Sequence, residues 1–276
     1  MSQPQKMNQN NQQSINTKGY AIYPKKLKLQ ISIIFILVLL FYAVSLIRTK
    51  ANFGELILNI DVVFNKMISM FPPNWAYISA AIDPLIETIQ IAVIATLIAV
   101  IICIPLSLLS ANTVVTNQYV YQFFRTIMNI IRTMPDILLA TLFVSLFGVG
   151  IIPGIFALVV FSLGLLGKLL SETIETIDPK QLEAVRSTGG NIIQVIWYGI
   201  VPQVLPQFIS YGLYVFELNV RASMVLGFVG AGGIGAIIDT QLNFLRYQNV
   251  MAILVVLLVA VIVIETISNA LRRRVV

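Results

Sequence analysis

Three runs of the chain, Leu29 to Ile47, Ile89 to Leu109 and Val250 to Ile264, contain no charged residue. A helix needs about 20 mainly apolar residues to cross the hydrocarbon of a bilayer. The runs therefore predict an all-α, polytopic protein whose solvent is the lipid bilayer. Composition agrees: 58% of the 276 residues are hydrophobic and 11% charged, against roughly 25% charged in soluble domains.

Six crossings are expected: Leu27 to Ile47, Thr88 to Leu109, Phe123 to Phe147, Pro153 to Leu170, Gln203 to Leu226 and Val250 to Ala270. The third is long enough only if it runs back through Pro135 to Arg132, which predicts a kink or break at "RTMPD", with Arg132 and Asp136, four residues apart around Pro135, expected as a structural pair at the inner end. Ala222 to Ile238 is apolar enough to score as a seventh crossing, but the charges argue otherwise. With six crossings the tail lysines, Arg125, Arg132, Lys168, Lys180, Arg186 and Arg272 to Arg274 share one side, as the cytoplasmic face requires. A seventh separates the terminal arginines from the tail lysines. Met224 to Asp239 thus reads as a re-entrant or surface-lying excursion at the outer face, and both termini are expected in the cytoplasm. Residues 1–26, rich in Asn and Gln, have a disordered composition. The apolar run after them reads as a retained helix rather than a cleaved signal. Residues 48–84 form an extracytoplasmic segment, with Trp75 and Tyr77 at headgroup level.

The chain has no histidine and one cysteine, Cys103, so a Ser-His-Asp triad, an intramolecular disulfide and a thiolate metal site all lack their residues. The nearest approach to a phosphate-binding loop, "GLLGKLL" at Gly164 to Leu170, has the wrong spacing and no Ser or Thr after Lys168. An enzyme, and an ATP engine in particular, is not expected in this chain. Its charge of +6 calls for no nucleic acid, because the basic residues stand where insertion needs them. Gly230, Gly232 and Gly235 have the G-x-G-x-x-G spacing of a dinucleotide cradle. A membrane helix precedes them, and Asp239 comes too early for the acidic ribose ligand of such a cradle. The glycines read instead as a thin, bendable element of an outer gate.

Between the fourth and fifth crossings, Asp178-Pro179 marks a helix start, Gly189 and Gly190 its end, and Asn191 caps a second short helix through Tyr198 before Pro202. Two short helices hinged at glycines make a compact projecting knob. "EAVRSTGGNIIQVIWYGIVP" resembles the EAA loop of ABC importer permeases: Glu183, Ala184, Gly189 and Pro202 stand at the family's spacing, with Val185, Gly199 and Val201 as departures. "ETIQIAV", "RTMPDILLA" and "YVFELNVRASMVLGFVGAGGIG" extend the likeness, over roughly Pro84 to Arg274, to phosphonate-type permeases of the methionine-importer-like type I superfamily.

The resemblance implies a permease domain over residues 85–274, with a coupling loop at 171–202 and a glycine-rich outer excursion at 224–247. It implies a homodimer of permeases, two cytoplasmic ATPases and an extracytoplasmic substrate-binding protein. ATP and Mg then belong to the ATPase, and this chain binds no cofactor. Glu183, Ala184, Gly189, Gly190 and Pro202 are the expected ATPase-coupling residues. Glu217, Asn219 and Arg221, near the outer end of the fifth crossing, and beside them Gly230, Gly232, Gly233 and Gly235, are the expected pathway or gate residues. A charge within a span usually faces a bundle interior or a wet cavity. Arg221 suits an oxyanion, yet it stands four residues from Glu217 and is equally able to be neutralised by it. The expected cargo is a phosphonate or related phosphorus oxyanion. A different small solute such as an amino acid, and a transporter driven by an ion gradient, are the competing readings; the second needs inverted repeats, which the sequence does not display.

Overall fold

The computed structural model describes residues 25–49, 54 and 58–275. The expected disordered tail therefore lies outside the described residues, apart from its last two, which begin the first helix. The chain divides into two compact units, Met1–Val63 and Phe64–Val276.

The first unit holds α1, Lys25–Thr49, a single helix of 25 residues that is apolar on every side. Lipid suits such a surface, since a helix hydrophobic all round has no polar face to offer water. Helix α2, Ile60–Ser69, carries the boundary between the units.

In the second unit a 3-10 turn, Trp75–Tyr77, leads into α3, Ile78–Leu109. The remaining helices are α4 (Gln118–Thr133), α5 (Asp136–Phe147), α6 (Ile151–Glu175), α7 (Pro179–Ser187), α8 (Ile192–Gln194), α9 (Val201–Leu226), α10 (Gly233–Asn243) and α11 (Tyr247–Val275). No strand occurs among the described residues. Among the described residues five helices are long and apolar enough to cross a membrane, and α4 with α5 makes a sixth if the bent pair is one span.

Helices α3 and α6 form the most extensive pair. Lipid tails are as apolar as the helices, so close backbone packing has to hold the pair together. Small residues permit it: Ala95, Ala99 and Cys103 of α3 share one buried cluster with Ala157 of α6, while Gly164 and Gly167 of α6 leave room for Ile131 and Met128 of α4. Glu175, at the end of α6, pairs with Arg125 of α4 at 2.9 Å and accepts the Asn112 N–H after α3. Those contacts mark one end of the bundle. At the other, the Asn74 N–H donates to the Gln248 carbonyl and the Asn74 amide to Asn249 Oδ1, tying the start of α3 to the start of α11.

The break at "RTMPD" is a bend of 91°. Met134 and Pro135 are extended, and Pro135 leads α5. Helix α4 lies against the second half of α6 and α5 against the first, where Phe147 stacks on Phe156 and Phe143 meets it at a tilt. Arg132 and Asp136 form no ion pair across the bend. Four-residue spacing brings side chains together only along a continuous helix, and Asp136 instead accepts the Ile137 N–H.

Other boundaries also shift. Helix α3 starts at Ile78, ten residues before the expected span, and takes in Asp83, Pro84 and Glu87. The stretch after α9 is no surface excursion. A 3-10 turn, Gly227–Val229, and a glycine turn lead into α10, which buries Gly233, Ile234, Gly235, Ile238 and Gln241 inside the bundle. The chain steps aside and continues in the direction of α9: Asn219 and Ser223 meet Thr96 and Thr88 of α3, and Ile238 joins Ala81 further along.

Candidate functional site

The loop between α6 and α9 is built from strong local signals. The Asp178 carboxylate accepts the Lys180 N–H and Pro179 opens α7. Gly189 then turns the chain at φ +85°, a conformation that costs a side chain but not glycine. Asn191 and Gln194 form a reciprocal capping box. The expected second helix through Tyr198 is not separate. Residues Val195–Ile200 form a π turn that runs directly into α9. A π turn widens the helix where an i to i−4 bond is lost, and Pro202 has no N–H to supply one. The Gln203 side chain donates to the Gly199 carbonyl at 2.6 Å. Gly199, where the family pattern has Ile, lets Leu182 of α7 close on this turn: a Cβ there meets Leu182 Cδ2 at 3.0 Å. Glu183, Ala184 and Gly189 remain exposed, and Ile193, Trp197 and Tyr198 are large apolar side chains exposed beside them.

The glycine turn has an anion at its mouth, supplied by the protein itself. The Gly233 N–H donates to Glu87 Oε1 at 2.9 Å and the Ile234 N–H to Thr88 Oγ1 at 2.8 Å. These are free amides at the start of α10, where a helix favours negative charge. The physics is that of a dinucleotide cradle, with a glutamate in place of pyrophosphate. Gly232 and Gly233 have φ of +79° and +72°, and a Cβ at Gly232 falls 2.7 Å from Glu87 Oε1. Gly235 packs under the Met224 carbonyl, leaving no room for a side chain. Glu87 and Thr88 carry no sequence signal for this role, because their partners lie far along the chain.

Asn219 is fully buried. Its amide donates to Thr96 Oγ1 at 2.9 Å and lies 2.8 Å from Ser162 Oγ, which also reaches Asn219 Oδ1 at 3.0 Å. One residue of α9 thereby joins α3 and α6 through a closed polar junction.

Glu217 and Arg221 face elsewhere. They are hydrogen-bonded to each other, as their spacing predicts, but two residues of α11 complete the cluster. Arg221 lies 3.5 Å from Glu265, and Arg272 lies 3.8 Å from Glu217. The expected position near the outer end of the fifth span is corrected here. Glu265 is about 27 Å along α11 from Tyr247 at 1.5 Å per residue, so the cluster lies deep in the bundle. Helix α9 stops short and α10 completes the traverse, so a residue near the end of α9 is not near the end of the bundle. The glycine turn, expected beside this cluster, meets α3 instead. Tyr211 of α9 shares a hydrogen bond with Thr173 of α6 at 3.1 Å.

A long buried helix pair, a broken span and an ordered helical loop at one end define a scaffold whose family can be tested directly. Residues 103–276 match the model of the binding-protein-dependent transport system inner membrane component. The chain belongs to that family. Among its relatives, the phosphite transport system permease protein PtxC of Stutzerimonas stutzeri is 36% identical over 202 residues, covering 73% of this chain and 74% of that protein. The phosphate-import permease protein PhnE of Mycolicibacterium smegmatis is 40% identical over 188 residues, 68% of this chain and 35% of the longer relative. Among solved structures, a chain of the MetNI methionine ABC transporter in an inward-facing conformation aligns with a TM-score of 0.64 at 22% identity, over 71% of this chain and 96% of that one. The family and this fold make the chain a multi-pass membrane component of the type I ABC importer permease architecture. Within the family match lie the loop, the charged cluster and the glycine turn; Glu87 and Thr96 precede it.

Proposed function

We propose that this chain is the permease subunit of an ATP-driven importer that carries a phosphorus oxyanion, such as a phosphonate or phosphite, by alternating access. The observation that carries the cargo assignment is the 36% identity to a phosphite permease across 74% of that protein's length. Two copies of the chain form the membrane pathway. An extracytoplasmic binding protein delivers the solute, and cytoplasmic ATPases, which hold ATP and Mg, drive the cycle. Both termini face the cytoplasm.

The loop transmits the motion. Glu183, Ala184, Gly189 and Gly190 shape an exposed knob around α7, and the exposed Ile193, Trp197 and Tyr198 offer apolar area for burial in an ATPase cleft. Pro202 stands at the head of α9, and the π turn joins the knob to that helix without a flexible hinge. A push on the knob is thereby carried along α9 to Glu217, Asn219 and Arg221. At the far end of α9 the turn of Gly230, Gly232 and Gly233 bends as the gate element while Glu87 holds its amides, and Gly235 keeps α10 seated on α9.

Reconstitution with the ATPase and binding protein in proteoliposomes tests this. Radiolabelled phosphite or methylphosphonate is expected inside the vesicles only with ATP, and excess methionine should leave uptake unchanged. Glu183→Arg is expected to cut coupled uptake at least tenfold with insertion intact. Accumulation of methionine instead of either phosphorus compound would reassign the cargo, and full uptake by Glu183→Arg would remove the coupling role.

A further inference from the structure

The terminal triplet Arg272-Arg273-Arg274 looks in sequence like a uniform cytoplasmic anchor. Its members part company in the fold. Arg273 and Arg274 are exposed and join no ion pair among the described residues, whereas Arg272 turns back toward α9 and reaches Glu217 at 3.8 Å. That separation is too long for a hydrogen bond, and Arg272 Nε and Nη2 are buried without a hydrogen-bond partner. Buried donors are nearly always satisfied, so two orphaned guanidinium nitrogens beside a carboxylate call for an acceptor.

Arg221 approaches the same carboxylate from the other side, and its side chain is 47% exposed. It stands on a face of α9 that otherwise shows Tyr214 and Val225, with Phe228 of the following turn exposed beyond them. A guanidinium held deep in a bundle belongs toward water or protein rather than lipid, so this face of α9 and α11 lines the pathway or meets the second copy. The two arginines and Glu217 and Glu265 sum to zero charge. An incoming anion therefore meets no bare cationic trap; it exchanges with a resident carboxylate and leaves by the reverse exchange.

We propose that Arg221 and Arg272 form a paired-guanidinium transfer site for a phosphorus oxyanion, with Glu217 as the counter-ion that the anion displaces. The proposal rests on the cargo reading above. Two guanidinium forks present parallel N–H donors matched to an oxyanion with two or three equivalent oxygens, which a lysine cannot reproduce. Arg272 is then a residue of the solute pathway, and Arg273 and Arg274 keep the anchoring role.

Initial uptake of radiolabelled phosphite by the complete reconstituted transporter tests the site in four variants, with assembly on the ATPase followed by size-exclusion chromatography. Arg272→Gln and Arg221→Gln are expected to lower uptake at least tenfold, Arg272→Lys about fivefold, and Arg273→Gln less than twofold. Arg272→Gln uptake within twofold of that of Arg273→Gln would overturn the proposal. So would an Arg272→Gln that fails to assemble beside an Arg272→Lys that transports as wild type, since charge alone would then suffice. Failure of the cargo reading is seen separately: wild-type vesicles would take up no phosphorus oxyanion, which removes both before any variant is compared.

Discussion

Asn219 and Arg221 stand two residues apart on one helix and live in opposite environments. The amide is fully buried, with both ends engaged by Thr96 and Ser162. The guanidinium is 47% exposed and shares Glu217 with a second arginine that is itself short of acceptors. A closed neutral junction has nothing further to bind and serves to hold three helices in register. An open, charge-balanced cluster can exchange partners. The difference separates the face of α9 that fixes the bundle from the face proposed to handle solute.

The most severe way to break that division is on the fixed side, at Gly235. Its absent side chain lets α10 lie against the Met224 carbonyl, so Gly235→Val is expected to reduce monodisperse protein more than tenfold on size-exclusion chromatography. Wild-type yield would mean that the packing of α10 on α9 is not what fixes this end of the helix. Next, Asn219→Leu removes the interhelical bonds, each worth about 0.6–1.7 kcal/mol in membranes. The midpoint of thermal unfolding in detergent should fall by several degrees, with uptake per folded molecule nearly unchanged. Arg221→Gln should do the reverse, leaving the midpoint in place while uptake collapses; a lowered midpoint with normal uptake would make the cluster a lock. The smallest effect is expected at Glu87→Gln, which keeps an acceptor for the Gly233 N–H and loses only the charge at a helix start, about 0.3–1 kcal/mol. A midpoint shift of a few degrees at most is the outcome to look for.

Much of this arrangement is local and so was legible in the residues. The apolar runs set the helices, because a span is a property of consecutive residues in lipid. Asp178-Pro179, Gly189 and Asn191 announced their turns, since caps act within four residues. The pairing of Glu217 with Arg221 was readable from helical spacing, and the break at Pro135 from the missing N–H. The Arg132–Asp136 pair failed for the same reason: spacing presupposes the continuous helix that Pro135 destroys. The π turn at Val195–Ile200 escaped because Pro202 and Gly199 read as terminators, while Leu182, on another helix, is what makes the tight passage useful.

By itself the sequence determined the medium, the helices, the caps of the loop between α6 and α9 and the permease family, all carried by neighbours in the chain. Only the tertiary structure decided depth and partnership. It stopped α9 short and sent α10 on in its place, which put Glu217 and Arg221 deep in the bundle beside Glu265 and Arg272. It also brought Glu87 to the amides of Gly233 across 146 positions. Those outcomes depend on how helices abut, and close approach is governed by which small residues face each other across space, a matter on which sequence distance is silent.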